Sequence, residues 1–515
     1  MLPPKVIPAF CAFPDRLTGS MPALKIALVA AEVAPLAKTG GLADVTAALA
    51  RALHLRGHDV RVFLPLYGQL SSNGQQFTPV ADLDALTLDY PGGSVKYRVQ
   101  TTPLPNSKAK GGRELLLECI DAPELYHRNS FYTSEPDEPV RWASLCRASL
   151  EICQRTGWAP DIVHANDWHT GLLPLLLKTW YGWDELFHNT RSLLSIHNIG
   201  YQGVFPAKVI EQLGLQDAAD QFHQEHLEQG QVGFLETGLL HASWLSTVSS
   251  TYAREIQTAE YGMGLEGLLK QRHDHLTGIV NGIDADEWNP ASDPLIPHHF
   301  EATAMGGKAK MKAALLERMG LPKPAKGRGP LLAGIVSRMT GQKGFELLPD
   351  ILPVLLRGDD IQLVVLGSGE ERYESYFQWL QQTYPDKVAL HLGYDNELSH
   401  WIEAGSDLFL MPSRYEPCGL NQMYSLRYGT VPLVRHTGGL ADTVVRWDPK
   451  SGAGTGFVFG EFQSEALHNT LRHALEVWKE PARWDQLVQN GMAMDFSWKQ
   501  QAQQYVNLYK QVLAN

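Results

Sequence analysis

Short, uniformly apolar runs alternate along the chain with longer stretches of helical spacing. Residues 25–31, Lys-Ile-Ala-Leu-Val-Ala-Ala, carry no polar residue at every second position. A half-buried strand alternates, so an unbroken run of this length reads as a strand covered on both faces of a parallel sheet. The glycine-bearing loop Lys38-Thr39-Gly40-Gly41 follows, and 42–56 then show helical spacing up to Gly57, which marks a helix end. Residues 59–65 form the next apolar run. Strand, helix and strand in this order make one βαβ unit of a doubly wound sheet. Further strands are expected at 115–120, 162–165 and 192–197.

The same pattern restarts later, with apolar runs at 331–336, 361–366, 388–392, 408–411 and 431–434 separated by helical segments. Residues 322–330 are rich in Pro, Gly, Lys and Arg and read as a surface loop leading into this second half. Two consecutive doubly wound domains follow. An internal repeat supports the duplication: Thr39-Gly40-Gly41-Leu42-Ala43-Asp44 recurs as Thr437-Gly438-Gly439-Leu440-Ala441-Asp442. Both copies begin a helix after an expected strand. Either the glycine pairs merely shape turns, or the two loops face one ligand across an interdomain cleft; the second reading is favoured.

Composition narrows the class. With 515 residues the chain exceeds a single hydrophobic core, and its 44% hydrophobic content is that of a soluble globular protein. The formal net charge of −12 argues against nucleic acid or an anionic membrane as main partner. No apolar run approaches the ~18 residues of a membrane-spanning helix. Five cysteines with no C-x-x-C pair suggest reduced thiols in a cytoplasm. Residues 1–22 read as a disordered leader, with Met21 directly before the first strand.

Candidate chemistry clusters at the expected strand ends, where open α/β sheets bind ligands. Gly40 and Gly41 let backbone N–H groups approach a phosphate, the following helix adds favourable partial charge, and Lys38 supplies a full charge. Arg338 and Lys343 share one loop after the strand at 331–336, and suit a pyrophosphate through bidentate and point-charge contacts. Glu416 precedes Pro417-Cys418-Gly419 on a constrained loop. Taken alone it reads as a surface carboxylate; beside its neighbours it reads as a charge held near a developing oxocarbenium ion. His164-Ala165-Asn166-Asp167-Trp168-His169 offers groups for a metal or for sugar hydroxyls. With no second ligand cluster, Asp167 and the later strand-end His197 are read as sugar contacts.

Together these blocks resemble the bacterial glycogen synthase and plant starch synthase family, from about Lys25 to the C-terminus. The marks are Lys38 to Val45, 164–169, His197-Asn198-Ile199-Gly200-Tyr201-Gln202-Gly203, 251–256, 261–269, Val280-Asn281-Gly282-Ile283-Asp284, 337–344 and 415–420. The resemblance implies two Rossmann-like domains facing each other across a cleft, the GT-B glycosyltransferase fold. It divides the chain into the leader at 1–22, an acceptor-side domain at 23–275, a nucleotide-sugar domain at 276–494 and a crossing helix at 495–515. It implies transfer of glucose from ADP-glucose to the non-reducing end of an α-1,4-glucan such as glycogen, with retention and with neither metal nor cofactor.

By the same resemblance, Arg338 and Lys343 bind the donor pyrophosphate, and Lys38 and Gly41 reach the donor from the opposite domain. Glu416 stabilises positive charge at the transferred glucose. His197, Asp167, Asn198 and Asn281 meet sugar hydroxyls, and Tyr132 is an acceptor-side aromatic. Tyr394 stacks near the adenine, while Thr437, Gly438, Gly439 and Leu440 cradle phosphates. Two departures stand out. Glu236 occupies a position where the family often has Lys, which either alters acceptor handling or is compensated locally. Tyr424 stands where related retaining transferases carry a second Glu, a substitution that synthases of this family share. A glucosyltransferase with a small acceptor, and an inactive glucan-binding partner, are the competing readings.

Overall fold

The computed structural model describes residues 23–72, 75–324 and 327–515; the expected leader at 1–22 lies outside them. Each apolar run singled out above forms a strand. In the first half these are β1 (Lys25–Val29), β2 (Asp59–Pro65), β3 (Thr78–Pro79), β4 (Leu86–Tyr90), β5 (Gly93–Pro103), β6 (Leu116–Asp121), β7 (Ile162–Asn166) and β8 (Arg191–Ile196). β9 (Val204–Pro206) and β10 (Gln231–Gly233) pair with each other, and β11 (Trp244–Thr247) and β12 (Leu276–Gly278) complete the first sheet. The second half holds β13 (Leu331–Val336), β14 (Ile361–Gly367), β15 (Val388–Leu392), β16 (Leu408–Met411), β17 (Val431–Arg435) and β18 (Phe457–Phe459).

The first sheet runs β12-β11-β8-β7-β1-β2-β6-β5-β3, parallel from β12 to β6, and β4 pairs with β5. The second runs β15-β14-β13-β16-β17-β18 and is parallel throughout. In both, strand order reverses beside the opening strand, between β1 and β7 and between β13 and β16. Such switch points open a crevice at the carboxyl ends of the strands. Every residue of β7 and of β14 is buried, which explains why their sequences do not alternate.

The β4–β5 hairpin is an addition that the apolar runs do not announce. Its strands alternate, with Val95, Tyr97 and Val99 inward and Lys96 and Arg98 outward, because only one face is covered. β12 extends the first sheet to Gly278, past the domain boundary expected after residue 275. The last helix, Trp498–Ala514, packs on helix Gly41–Leu55. There the Tyr509 hydroxyl meets His164 Nδ1 at 2.9 Å. This helix returns the chain from the second sheet to the first and ties the two halves together.

Candidate active site

A cleft of about 730 Å³ lies between the sheets, lined by loops from both. The loops after β1 and β7 face those after β13 and β16, so each switch point contributes both of its flanking strands. Lys38, Gly41, Tyr132, Asp167, His197, Asn198 and Asn281 line it from the first half. Arg338, Lys343, Tyr394 and Glu416 line it from the second.

On the second-half wall, Glu416 is buried, and its Oε2 accepts from Lys343 Nζ at 2.7 Å and from Ser413 Oγ at 2.9 Å. Lys343 ends the single turn Gly341–Lys343 and reaches Glu416 because Gly344 lets the two loops touch. Gly344 has φ +71°, and a Cβ there would stand 2.0 Å from the Pro412 carbonyl oxygen. Arg338 is exposed and, among the described residues, pairs with no carboxylate. One cation therefore holds the carboxylate while the other is free to grip an incoming anion. Tyr394, 82% exposed, offers an open aromatic face at the rim.

The first-half wall is built around a residue that the sequence reading passed over. Glu32, buried just beyond β1, accepts from Thr39 N at 2.5 Å, Thr39 Oγ1 at 2.7 Å and Gly40 N at 3.3 Å, and also from the Tyr132 hydroxyl. Its signal was present as a carboxylate directly following a wholly apolar strand. These bonds occupy the amides of Thr39 and Gly40, and leave Gly41 to head helix Gly41–Leu55 at the cleft, where the helix dipole favours an anion. Lys38 pairs with Asp44 at 2.8 Å. Burial pulls the Lys38 ammonium down, but the Asp44 carboxylate outweighs it and the net shift is upward, so Lys38 stays charged.

Asp167 follows β7 with φ +57°, a conformation rarely adopted outside glycine. Its Oδ1 accepts the backbone N–H of His197 at 2.7 Å and of Asn198 at 3.4 Å, which joins the ends of β7 and β8. Burial pushes the Asp167 carboxyl up to about 7, against the pull of those two N–H groups. His197 Nε2 meets Asn166 Oδ1 at 3.0 Å, and burial lowers the ring to about 4, so the imidazole is neutral. Asn281 Oδ1 is buried with no hydrogen-bond partner among the described residues, an acceptor left open in the wall. Deeper in the second half, burial raises the Glu403 carboxyl to about 8. Nothing in the motifs had singled it out.

One expectation fails. Thr437, Gly438, Gly439 and Leu440 are buried and do not line the cleft. The Gly438 N–H donates to both carboxylate oxygens of Glu255, at 3.1 and 3.0 Å, and Thr437 Oγ1 donates to the same group at 3.0 Å. The anion place of the second repeat is thus filled by a side chain of the first half. Gly439 N donates to the backbone carbonyls of Glu416 and Pro417, both at 3.1 Å, so this repeat buttresses the Glu416 loop from beneath. Gly419, Leu420 and Asn421 line the cleft in its place.

The two departures are also placed. Glu236 does not line the cleft; it is buried, with His226 Nδ1 2.9 Å from its Oε1. Tyr424 lies in the wall, its ring stacked 3.7 Å from that of Trp288.

Residues 25–271 match the family model described as starch synthase catalytic domain, and 321–490 match that of glycosyl transferases group 1. The chain is 44% identical over 494 residues to the glycogen synthase of Koribacter versatilis, covering 95% of this chain and 98% of that one. It is 41% identical over 499 residues to the glycogen synthase of Desulforudis audaxviator, covering 95% and 97%. A solved structure, the catalytic domain of starch synthase IV from Arabidopsis thaliana bound to ADP and acarbose, superposes with a TM-score of 0.84. That relative is 35% identical, with 96% of this chain and all of that one covered.

Proposed function

We propose that this chain, which belongs to the glycogen synthase and starch synthase family, lengthens an α-1,4-glucan at its non-reducing end with glucose from ADP-glucose, retaining configuration. It is a hexosyltransferase with the GT-B fold. The ADP and acarbose in the Arabidopsis relative support an adenine nucleotide sugar as donor and a glucan as acceptor. The observation that carries the assignment is Glu416, held by Lys343 beside the unpaired Arg338, across the cleft from Lys38.

In this reading the donor lies on the second half, with its diphosphate against Arg338 and Lys343 and its adenine near Tyr394. As the bond from glucose C1 to the phosphate oxygen breaks, the two cations take up the charge on the departing ADP. The fixed carboxylate of Glu416 faces the positive charge growing on the sugar. The acceptor 4-hydroxyl attacks C1 on the same face, and its proton passes to the leaving phosphate oxygen. Asp167, His197, Asn198 and Asn281 hold sugar hydroxyls, Tyr132 meets the acceptor, and Lys38 and Gly41 close over the donor and exclude water. No helix of the described residues is long and apolar enough to cross a membrane. We place the enzyme in the cytoplasm, where its buried, unpaired Cys119, Cys146, Cys153 and Cys418 stay reduced.

The test is glucose transfer from ADP-glucose and UDP-glucose to glycogen, with products sized. A glucan ladder from ADP-glucose that collapses in Glu416→Ala is the expected result. Transfer only to small acceptors, or none from folded protein, overturns the proposal.

A further inference from the structure

Outside the cleft, a second cluster of chemically competent side chains converges on one point. His223, His226 and Glu236 bring their donor atoms within 4.8 Å of one another. None of the three lines the cleft. His226 Nδ1 lies 2.9 Å from Glu236 Oε1 and 3.0 Å from Oε2, and His223 Nδ1 lies 3.8 Å from Oε1. The last distance is too long for a hydrogen bond, and His223 Nδ1 is buried with no hydrogen-bond partner among the described residues. Two ligands on one tetrahedral ion, with bonds of about 2.0–2.2 Å, stand roughly 3.3–3.5 Å apart. The observed separations bracket that value.

The charge balance points the same way. Glu236 is buried on helix Phe234–His241, and among the described residues no Lys or Arg pairs with it. A buried carboxylate needs a compensating charge, and two imidazoles supply one only when protonated. A divalent cation supplies it with both rings neutral and their Nδ1 lone pairs directed inward. Two nitrogens and a carboxylate form a borderline donor set that suits zinc and its neighbours rather than calcium or magnesium. The histidine side chains keep 33% and 38% of their surface, which leaves an entry path and room for a water as fourth ligand.

The scaffold is also fixed in advance. His223 stands at the N-cap position of helix Gln224–Glu228, His226 lies within it, and the neighbouring Phe222 is anchored in the core. His241, on the same helix as Glu236, donates from Nε2 to the Gln221 carbonyl at 2.6 Å, a second tie beside the cluster. We infer that His223, His226 and Glu236 form a binding site for one divalent transition-metal ion of the zinc class. Helix Phe234–His241 packs against the turn Trp168–Thr170, whose Trp168 and His169 line the cleft, so the ion braces the acceptor-side wall without entering the reaction.

The experiment uses the full, untagged chain, stripped with a chelator and titrated with Zn²⁺ by calorimetry and with Co²⁺ by visible absorption. The expected result is one ion per chain, an intense low-symmetry cobalt spectrum, and a rise in Tm with zinc. In His223→Ala, at a partly exposed position whose truncation leaves the fold intact, and in Glu236→Gln, affinity falls at least tenfold and the cobalt spectrum is lost. No stoichiometric binding by the wild type, or equal binding by the folded His223→Ala protein, overturns the inference.

Discussion

Lys343 Nζ and Glu416 Oε2 stand 2.7 Å apart at the carboxyl ends of neighbouring strands β13 and β16. The contact joins the residue expected to meet the leaving diphosphate to the one expected to face the sugar cation.

That pairing separates the two cations. Lys343→Ala leaves a buried carboxylate with only Ser413 as partner, and we expect a loss of about 2–3 kcal/mol of stability, less than for a fully buried pair because Lys343 is partly exposed. Arg338→Ala removes an exposed, unpaired group and leaves stability within about 0.5 kcal/mol of wild type. Both lower kcat/KM by about 2–3 kcal/mol of transition-state stabilisation, roughly 30- to 150-fold. Steady-state kinetics and urea midpoints of the two variants check this; near-wild-type kcat/KM in both sinks the assignment.

The two repeats respond differently to the same substitution. A Cβ on Gly438, at φ +44°, falls 1.9 Å from the Glu416 carbonyl oxygen. Gly438→Ala therefore displaces the Glu416 loop, and costs more than about 2 kcal/mol together with most activity. A Cβ on Gly41 meets only Leu420 Cδ1, at 3.7 Å. Gly41→Ala folds normally and loses activity alone. Equal Tm values for the two variants contradict the buttress role of the second repeat.

Helices Ser250–Glu255 and Gly438–Thr443 cap each other across the two halves. Asp442 accepts from Thr251 N at 2.9 Å and from Thr251 Oγ1 at 2.6 Å, while Glu255 accepts from Gly438 N. Glu255→Ala and Asp442→Ala should each cost about 0.5–2 kcal/mol, as lost helix caps do. Because both caps join the same helix pair, the double variant should depart from additivity by at least about 0.5 kcal/mol. Denaturant unfolding of the four proteins measures the coupling, and strict additivity refutes it.

His164 is wholly buried between Ser195 and Tyr509, and burial lowers its ring to about 3. The unfolded chain takes up a proton there near pH 6.5, the folded chain only near 3. Its contribution is thus intact above pH 6.5 and is lost as pH falls through that window, with a slope of at most about 1.4 kcal/mol per pH unit. His164→Gln should flatten the fall in stability between pH 6.5 and 4.5. An unchanged slope, read from urea midpoints at several pH values, counts against the buried neutral ring.

Much of this protein is local in origin and was legible in its residues. Unbroken apolar runs specify strands covered on both faces, and the carboxyl ends of those beside the switch points mark where the cleft opens. Arg338, Lys343, Glu416, Asp167 and His197 all line the cleft, and each stands just past such a run. The β4–β5 hairpin was missed although Val95, Tyr97 and Val99 alternate with charged residues, since it obeys a two-residue period rather than a continuous one. What the residues could not decide is what each loop meets. Thr39-Gly40-Gly41 and Thr437-Gly438-Gly439 are the same sequence, each leads into a helix, and both bind a carboxylate. Glu32 comes from seven residues away, on the loop's own side of the cleft, and leaves Gly41 facing the cavity. Glu255 comes from 183 residues away and seals the second loop beneath Glu416. Backbone pattern is written in neighbouring residues, whereas the partner that fills a buried donor is set by which distant side chain the packed halves bring within hydrogen-bond reach.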